Sequence, residues 1–381
     1  MKPLQGIRVL DLSRVLAGPY ATALLADLGA QVIKVEPPSG DDYRHIGPFK
    51  DGESALFTLN NRGKQSIVLD LKDADDLALA RDIAARVDVV VENFRPGVAA
   101  RLGLGADELR AANPRLVYCS ISGFGQEGPF RDLPAYDLVV QAMSGLMSGT
   151  GEEGGQPLKT GEAIADLLAG LFAAWSIMAA LVGRDRTGQG ATLDVAMYDA
   201  LFSMLTTSHA LHLFAGRMPQ RVGNRHPLST PFGCYATRDG QVVIAVLNAR
   251  QFASLARLVG APEAADDPRF ASDESRTEHE PAVRAMIENW SQGLTTDQAV
   301  AALSAAGLPG APIWDIAQAA SNEHAAARGL VSELAHPRLG SAPVVGQPVR
   351  FDGEKPVAPV SAPALGADRA AILADLEIEG E

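Results

Sequence analysis

Short apolar segments alternate with amphipathic ones along the first third of the chain. Five of the apolar segments are rich in β-branched residues and apolar on both faces, which indicates strands buried inside a parallel sheet. They span residues 7–12, 31–35, 67–71, 87–92 and 116–121. Helical patterns at 20–28, 73–86 and 107–112 separate them. This alternation predicts an α/β domain with a Rossmann-like, doubly wound parallel sheet.

The rest of the pattern predicts a second, smaller domain. A long apolar helix at 166–182, a charged Gly-rich turn at 183–190 and a strand at 191–195 complete the first domain. After a polar stretch, strand patterns at 233–236 and 242–246 are joined at Asp239-Gly240, which is a strong hairpin signal. Helical patterns follow at 251–259, 281–292 and 296–306. We therefore predict a large α/β domain over 1–200, rejoined by a last helix within 362–381, a small α+β domain over 221–320, and linkers at 201–220 and 321–361.

The balance of charged residues excludes some classes of partner. The formal net charge is −13 in 381 residues, whereas a nucleic acid is bound by clustered Lys and Arg. Nucleic acid is therefore not an expected partner. The beginning of the chain lacks the apolar region of a secretory signal, and no stretch reaches 18 uninterrupted apolar residues, so no membrane segment is expected. Cys119 and Cys234 are too few for a disulfide framework, which favours a cytoplasmic location.

The first strand, turn and helix raise the question of a dinucleotide site. Glu36 ends the second strand, where an acid that binds a ribose would lie. However, Gly18 stands alone before Pro19, and a GxGxxG turn needs further glycines to bring the backbone against a pyrophosphate. A nicotinamide nucleotide is therefore not expected.

Asp166 is the first candidate for chemistry, because it opens an otherwise apolar helix after a Gly-rich loop. One interpretation is an N-cap, whose carboxylate accepts hydrogen bonds from the backbone. The other is a nucleophile, since a carboxylate at a helix N-terminus stays ionised and faces a loop-lined cavity. The residues alone leave both interpretations open.

A second group of candidates follows the predicted strands. Asn93, Phe94 and Arg95 come directly after the fourth strand, and ligands of open α/β sheets bind beyond the carboxyl ends of strands. Arg95, Lys72 and Arg101 could hold phosphate through charge-assisted hydrogen bonds. Alternatively, these cations are simply solvated.

His226 lies in the polar stretch before the predicted hairpin. Neither a Ser-His-Asp order nor an HExxH spacing surrounds it, so the pattern is that of a loop histidine or a packed one. No metal site is expected.

Seven segments resemble, in their order and spacing, the class III CoA-transferase family. They are PLQGIRVLDLSRVLAGP, VIKVEPPSGDD, FTLNNRGKQSIVLDL, VVVENFRPG, NPRLVYCSISGFGQEGP, YDLVVQAMSG and GEAIADLLAGLFAA. The segments GQGATLDVAMYDA and FGCYATRDGQ also fit, so the resemblance covers nearly the whole chain. That family includes formyl-CoA transferase, carnitine CoA-transferase and the α-methylacyl-CoA racemases.

This resemblance implies a site and an assembly. It places the family's catalytic aspartate on Asp166. It places contacts with coenzyme A on Leu16, Ala17, Leu71, Lys72, Asn93, Phe94, Arg95 and Pro96, with weaker matches at Arg101 and Tyr136. It also implies an interlocked homodimer, in which each ring-shaped subunit is threaded by its partner.

Two departures from the family pattern bear on the substrate. Formyl-CoA transferases carry Gln where this chain has Leu16, and they have a long Gly-rich loop that it lacks, so formate and oxalate are not expected. Racemase relatives carry a catalytic His where this chain has Tyr136, beside Asp137. A racemase with this sequence would lack its second acid/base group.

The resemblance thus implies an enzyme that moves coenzyme A from an acyl-CoA to a free carboxylic acid. A carboxylate can do this through an anhydride and an aspartyl-CoA thioester, so no metal or redox cofactor is required, and coenzyme A is substrate and product. Succinyl-CoA and small dicarboxylic acids are the expected substrates, with Arg225 and His226 as candidates for binding a second carboxylate. The alternatives are an acyl-CoA racemase with a substitute base and a CoA-binding protein without activity.

Overall fold

A parallel sheet forms the centre of the first part of the chain in this computed structural model, which describes residues 2–336, 338–354 and 360–378. In chain order the strands are β1 Arg8–Asp11, β2 Gln31–Glu36, β3 Phe49–Lys50, β4 Glu53–Ser54, β5 Lys64–Val68, β6 Val89–Glu92, β7 Val117–Ser122, β8 Thr192–Ala196, β9 Phe232–Ala236, β10 Gln241–Ala245, β11 Gly310–Pro312, β12 Val331–His336 and β13 Gly340–Val345. The α-helices are α1 Ala17–Asp27, α2 Ala55–Asn60, α3 Ala74–Ala84, α4 Val98–Arg101, α5 Ala106–Ala112, α6 Asp137–Met143, α7 Leu146–Gly149, α8 Ile164–Thr187, α9 Met197–Ser203, α10 Thr206–His209, α11 Ala249–Leu258, α12 Asp273–Glu278, α13 Glu280–Ser291, α14 Thr296–Ala305, α15 Ile316–Ser321, α16 Glu323–Arg328 and α17 Arg369–Asp375. Short 3₁₀ helices occur at Asp42–His45, Pro262–Ala265 and Pro268–Phe270, and a π-helical turn at Ala210–Phe214.

Six strands form the large sheet in the order β5-β2-β1-β6-β7-β8, and every neighbouring pair is parallel. In the middle of the sheet, Val9 pairs with Val32 on one side and with Val89 on the other. Burial on both faces explains why these strands are almost continuously apolar in the sequence. The predicted α/β class with a large parallel sheet is confirmed.

Helices cover both faces of this sheet. On one face α1 and α8 pack closely against each other through small residues such as Ala21 and Ala169. On the other face α3 and α17 bury Ile83 and Ile372 against the strands. Because alternate residues of each strand point to opposite faces, the two helical layers give two separate apolar cores.

Helix α8 is long and apolar enough, by length and composition, to cross a membrane. Its buried face carries Ala165, Ala169, Ala173 and Ile177, all of which lie in the core beside α1. A core helix of a globular protein meets the same criterion, so this helix is weak support for a membrane segment.

The chain divides into two compact units. The first comprises Met1–Leu146, Thr160–Leu205 and Asn322–Glu381, and the second comprises Met147–Lys159 and Thr206–Ser321. In the second unit, β11, β10 and β9 form an antiparallel sheet. Its core contains Tyr235, Phe252 and Leu303. The segment 147–159, predicted within the large domain, belongs to the second unit.

Two elements of the first unit differ from the prediction. The third strand of the sheet, expected at 67–71, lies at Lys64–Val68. The prediction missed its first residues because Lys64 is buried in spite of its charge, and a charged residue does not indicate a buried strand in the sequence. The expected turn at 183–190 is helical as far as Thr187. Here Arg184 is buried and lies 2.8 Å from the carboxylate of Asp88.

The range 321–361, predicted as a linker, contains secondary structure. It includes α16 and an antiparallel hairpin of β12 and β13. Arg338, beside the turn of this hairpin, forms an ion pair with Glu53 at 2.8 Å. Residues 337 and 355–359 of this range lie outside the described residues.

The end of the chain returns to the edge of the large sheet. The backbone N–H of Gly63 donates to the carbonyl of Val360 at 2.8 Å, and the N–H of Ser66 donates to the carboxylate of Asp368 at 2.8 Å. Helix α17 then buries Ile372. This is the position of the last helix predicted within 362–381, of which residues 379–381 lie outside the described residues.

Candidate active site

The strand order of the large sheet reverses between β1 and β6. Numbered by their order along the chain, its six strands run 3-2-1-4-5-6. At such a reversal the loops on the two sides diverge, and they open a crevice beyond the carboxyl ends of the strands. A cleft of about 400 Å³ lies at this point, between the loops that follow β1, β6 and β7 and the first turns of α6 and α8.

Most of the predicted site residues line this cleft. They are Leu16, Ala17, Asn93, Phe94, Arg95, Pro96, Tyr136 and Asp166. Leu71, Lys72 and Arg101 are not among its lining residues: Leu71 packs against the core, and the other two side chains are exposed. Their contact with coenzyme A stays a prediction.

Asp166 lies in the first turn of α8 but does not cap it. The N-cap position is Ala163, and no side chain of that position makes a capping bond. Asp137, at the start of α6, supplies the acceptor instead: its Oδ1 accepts the N–H of Ala165 at 2.7 Å, and its Oδ2 accepts the side-chain amide of Gln141 at 2.6 Å. The N-cap interpretation of Asp166 is therefore wrong, and its carboxylate is a wall of the cleft.

Burial and a second carboxylate perturb the ionisation of Asp166. Burial, and then Asp137, raise the pKa of Asp166 to about 7, although a hydrogen bond from the N–H of Ala17 opposes this change. That N–H belongs to the first turn of α1, where backbone donors without helical partners favour negative charge. After burial itself, the carboxylate of Asp166 is also the largest contribution that raises the pKa of Tyr43, so the phenol is a near neighbour. Close packing of α8 on α1 requires Gly170, since a Cβ there would lie 2.6 Å from the carbonyl oxygen of Ala17.

The turn that precedes α1 is strained, and two buried charged side chains, Asp41 and Lys34, bind its backbone. Val15 has a φ of 70°, which for a β-branched residue costs on the order of 1–3 kcal/mol. Oδ1 of Asp41 accepts the N–H of Val15 at 3.2 Å and the N–H of Tyr43 at 2.9 Å. Oδ2 of Asp41 lies 2.8 Å from Nζ of Lys34, which also donates to the carbonyl of Ser13 at 2.9 Å. The Asp41 and Lys34 side chains are fully buried, so the surrounding structure fixes this turn.

A second buried ion pair supports the same turn. Asp11, at the end of β1, lies 2.9 Å from Nζ of Lys64 and accepts the hydroxyl of Thr22 at 2.6 Å. Although burial alone would raise it, Lys64 and Lys34 hold the pKa of Asp11 well below its ordinary value. Burial lowers the pKa of Lys64 to about 8. Loss of either partner would leave an uncompensated buried charge.

Asn93 joins the two loops that border the cleft. Its Oδ1 accepts the N–H of Arg14 at 2.9 Å, and its Nδ2 donates to the carbonyl of Arg14 at 2.8 Å. The side-chain amide is therefore engaged with the loop after β1, and a contact of Asn93 with coenzyme A stays a prediction. One residue earlier, Glu92 accepts the N–H of Phe94 at 2.7 Å, and burial raises the pKa of Glu92 to about 7.

Sequence reasoning missed several residues of the cleft. Arg14, Asp42 and Arg131 line it. Together with Arg95 and Asp166, this gives three cations against two carboxylates in a chain of net charge −13, which favours an anionic ligand at this place. Arg14 follows the end of β1 as Arg95 follows the end of β6, so the same argument could have found it. Arg131 lies in a long loop, and no sequence signal places that loop at the cleft.

Arg225 and His226 lie in the second unit. The guanidinium of Arg225 lies 3.1 Å from the carboxylate of Glu153. His226 accepts the N–H of Leu228 through Nδ1 at 3.2 Å, and its ring centroid lies 5.3 Å from that of Phe232. His226 therefore stabilises a turn, and a substrate contact stays a prediction for both residues.

Within residues 2–336, 338–354 and 360–378, no group of three or more His, Cys, Asp or Glu side chains could hold a metal ion.

Comparison with known proteins gives matches over nearly the whole chain. The family model described as CoA-transferase family III matches residues 4–369. The chain is 42% identical to the acetyl-CoA:oxalate CoA-transferase of Acetobacter aceti, over 94% of this chain and 92% of that protein. It is 41% identical to the succinate–glutarate CoA-transferase of Agrobacterium fabrum, over 98% of this chain and 96% of that protein. The crystal structure of a CAIB/BAIF family protein from Brucella suis superposes with a TM-score of 0.86 at 38% identity, over 98% of this chain and 99% of that one.

Proposed function

Because the chain belongs to CoA-transferase family III, we propose that it moves coenzyme A from an acyl-CoA to a free carboxylic acid with Asp166 as the covalent nucleophile. The position of Asp166 carries this proposal. Its carboxylate lines the cleft at the strand reversal, has a pKa near 7, and accepts the N–H of Ala17. A carboxylate with these properties is ionised in about half of the molecules at neutral pH, so it can act as a nucleophile.

The first half of the reaction loads coenzyme A onto the enzyme. The ionised carboxylate of Asp166 attacks the acyl carbon of the thioester, the C–S bond breaks, and coenzyme A leaves as a thiolate. The product is an anhydride between the acyl group and Asp166. The thiolate then attacks the aspartyl carbonyl carbon, which releases the first acid as a carboxylate and leaves Asp166 as a thioester of coenzyme A.

The second half reverses these steps with another acid. The acceptor carboxylate attacks the aspartyl thioester and expels the thiolate, which forms a new anhydride. The thiolate then attacks the acyl carbon of the acceptor, and this step gives the new acyl-CoA and restores the Asp166 carboxylate. The two tetrahedral intermediates that form at the aspartyl carbonyl carbon each carry an oxyanion, for which the N–H of Ala17 is a positioned donor because it donates to the carboxylate of Asp166. Water must be excluded meanwhile, because an anhydride hydrolyses.

Small dicarboxylic acids are the proposed acceptors, and succinyl-CoA is the proposed donor. The relative from Agrobacterium fabrum, which is named for succinate and glutarate, supports this choice. The relative from Acetobacter aceti is named for oxalate. The expectation that oxalate is not a substrate, which rests on Leu16, therefore stays a prediction. Oxalate belongs among the acids to be tested.

The racemase alternative has less support from the geometry of the cleft. A racemase would need a second acid/base group in place of the family's His, and Asp137 is the nearest substitute to Tyr136 in the sequence. Both oxygens of Asp137 already accept hydrogen bonds, one from Ala165 and one from Gln141. Freeing it for proton transfer would remove the cap of α8.

Two copies of the chain are proposed to form the interlocked homodimer that the family resemblance implies. Support comes from an apolar face of α8 on which Leu171, Trp175 and Val182 are 52%, 62% and 61% exposed in the single chain. Exposed patches of this kind mark interaction surfaces. A dimer that persists at nanomolar concentration in light scattering is expected, and an active monomer there would contradict the assembly.

A reducing, cytoplasmic location is also proposed. Its support is that Cys119 and Cys234 are both free thiols.

A transfer assay tests the proposed reaction. The protein is mixed with succinyl-CoA and glutarate, itaconate, oxalate, butyrate or isotopically labelled succinate in deuterated buffer, and new acyl-CoA is measured by mass spectrometry. Transfer to at least one acid is expected in the wild type. It should be lost in freshly prepared Asp166→Asn, whose mass excludes deamidation. Deuterium uptake at the α-carbon without transfer would indicate a racemase, and binding without either reaction would indicate a CoA-binding protein.

Trapping tests the covalent step. Enzyme that has been incubated with acyl-CoA and then treated with hydroxylamine should carry the hydroxamate on the peptide of Asp166, because hydroxylamine attacks the activated aspartyl carbonyl. The same treatment of Asp166→Asn is the control. Transfer in the complete absence of an adduct would argue for direct exchange between the two acids.

A further inference from the structure

One cation of the cleft is tied to the reacting carboxylate by a short stretch of chain. Three arginines line the cleft together with Asp166, namely Arg14, Arg95 and Arg131. The N–H of Ala17 donates to the carboxylate of Asp166, and Arg14 precedes Ala17 by three residues. Three residues span at most about 11 Å, and the φ of 70° at Val15 keeps this stretch from being extended. The backbone of Arg14 therefore stays close to the reacting group.

The backbone of Arg14 is also fixed in its position. Oδ1 of Asn93 accepts the N–H of Arg14 at 2.9 Å, and Nδ2 of Asn93 donates to the carbonyl of Arg14 at 2.8 Å. The next residue is held as well, because the buried Asp41 accepts the N–H of Val15 at 3.2 Å. A side chain that begins from a fixed backbone loses less freedom when it binds a ligand.

The guanidinium of Arg14 is loosely partnered. Its Nη1 lies 3.8 Å from Oδ2 of Asp42, which is too far for a hydrogen bond. The two side chains are 46% and 53% exposed, and an ion pair between groups so exposed contributes little to stability. Among the residues that the structure describes, the side chain of Arg14 makes no hydrogen bond. Its donors are therefore available to a ligand, and Asp42 can turn away into solvent.

We propose that Arg14 binds the non-reacting carboxylate of a small dicarboxylic acid whose other carboxylate reacts at Asp166. This inference rests on the proposed function, because it assigns the end of the acceptor that Asp166 does not activate. A guanidinium binds a carboxylate through two parallel hydrogen bonds. The carboxyl carbons of extended glutarate are about 5 Å apart, and the long side chain of Arg14 spans the remaining distance. Leu16, Ile121 and Met197 of the cleft wall offer apolar contacts to the methylene groups.

The phosphates of coenzyme A are less suitable ligands for Arg14. In an acyl-CoA the whole pantetheine arm separates them from the thioester, whereas a short turn connects Arg14 with the residue that binds Asp166. The charge of Asp42 beside Arg14 also limits the negative charge that can bind there. A single carboxylate meets this condition better than a phosphate. Arg95 and Arg131, which no such turn ties to Asp166, are then the candidates for the phosphates.

The test compares glutarate with valerate, which has the same number of carbons and lacks the second carboxylate. With succinyl-CoA as donor, kcat/KM for each acceptor is measured in the wild type, Arg14→Gln, Arg14→Lys and Asp42→Asn. Loss of a hydrogen-bonded charge predicts that Arg14→Gln lowers the glutarate-to-valerate ratio by about tenfold to a hundredfold. Arg14→Lys should retain part of the preference, because it keeps the charge without the planar fork. Asp42→Asn should raise the ratio, because it removes a competing charge.

The ratio of the two acceptors isolates their binding from the loading step. Both acids react with the same aspartyl thioester, so slower loading from succinyl-CoA affects them equally. Arg115→Gln is the matched control and should leave the ratio unchanged, because Arg115 is an exposed arginine of the same unit that does not line the cleft. Arg95→Gln should raise KM for succinyl-CoA and leave the ratio unchanged, since it removes a cation assigned to coenzyme A.

Several results would overturn the site and leave the transferase proposal standing. One is an unchanged ratio in Arg14→Gln. Another is a lower ratio in Asp42→Asn, because removal of a competing charge must strengthen a bound carboxylate. A ratio that falls in Arg225→Gln and not in Arg14→Gln would assign the second carboxylate to Arg225. An equal rise in KM for succinyl-CoA and butyryl-CoA in Arg14→Gln, at a constant acceptor ratio, would assign Arg14 to coenzyme A.

A binding measurement tests the site without turnover. Glutarate is titrated calorimetrically into Asp166→Asn saturated with coenzyme A, in which the reacting position carries no charge that repels the acceptor. Addition of Arg14→Gln to this protein should weaken glutarate binding by about tenfold or more. That result would support the site even if no acid accepted coenzyme A from the wild type, and the proposed function would then fail by itself. Equal glutarate binding with and without Arg14 would overturn the site.

Discussion

Asp166→Asn is predicted to stabilise the fold while it removes transfer. Burial and Asp137 raise the pKa of Asp166 in the folded chain to about 7, whereas an aspartate ordinarily titrates near 3.8. Between these two values the folded chain keeps a proton that the unfolded chain has released, so the free energy of unfolding falls as the pH rises. Each pH unit of this window is worth about 1.4 kcal/mol. Ionised Asp166 therefore lowers the free energy of unfolding by about 4 kcal/mol at pH values above 7.

An asparagine at this position removes the charge and keeps an oxygen that can accept the N–H of Ala17. We expect the wild type and the variant to be about equally stable near pH 4, where both side chains are neutral. The stability advantage of the variant should grow to about 1.5 kcal/mol at about pH 5 and about 4 kcal/mol at about pH 8. Urea unfolding at a series of pH values measures this difference. Asp185→Asn is the control, because Asp185 is an exposed carboxylate on the same helix.

A variant whose stability relative to the wild type is the same at every pH would refute this reasoning, because Asp166 would then titrate alike in the folded and unfolded chains. The activity of the variant tests a separate point. Loss of a covalent nucleophile costs several orders of magnitude in kcat. Retention of more than about a tenth of wild-type turnover would show that Asp166 is not the nucleophile, whatever its pKa.

Three further changes have distinct expected results. Asp137→Asn removes the neighbouring charge, so the pKa of Asp166 should fall and the acidic limb of the kcat/KM profile should move below about pH 7; an unmoved limb would show that Asp137 does not act on it. Lys64→Met leaves Asp11 buried without its cation, which should cost about 3–5 kcal/mol in urea unfolding, and Asp11→Asn in the same chain should recover part of that loss. Gly170→Ala forces the backbone of α1 away from α8, so both the melting temperature and kcat should fall, and a variant with wild-type values of both would contradict the packing argument.

The sheet could be predicted because its strands are buried on both faces, which makes them continuous apolar runs. The strand with the poorest prediction was β5, where Lys64 and Ser66 are buried by partners elsewhere in the chain. The cleft residues after β6 could be predicted because ligands of open α/β sheets bind beyond the carboxyl ends of strands, whereas Leu16 and Ala17, after β1, were assigned only through the family resemblance. The role of Asp137 could not be predicted, since it caps a helix through a residue 28 positions away. For the same reason, the local sequence gives no sign that the side chain of Asn93 binds the backbone of Arg14, which lies 79 positions earlier.

On the ribosome, the second unit is complete before the first. Its residues end at Ser321, whereas the first unit also needs Asn322–Glu381. Until that last segment emerges, Ser66 on the edge strand lacks the carboxylate of Asp368, and the core lacks Ile372. An uncovered edge strand invites pairing with another chain. The sheet on which the helix of Asp166 packs is thus begun first and closed last, so its edge is open to other chains for as long as the segment after Ser321 is still being synthesised.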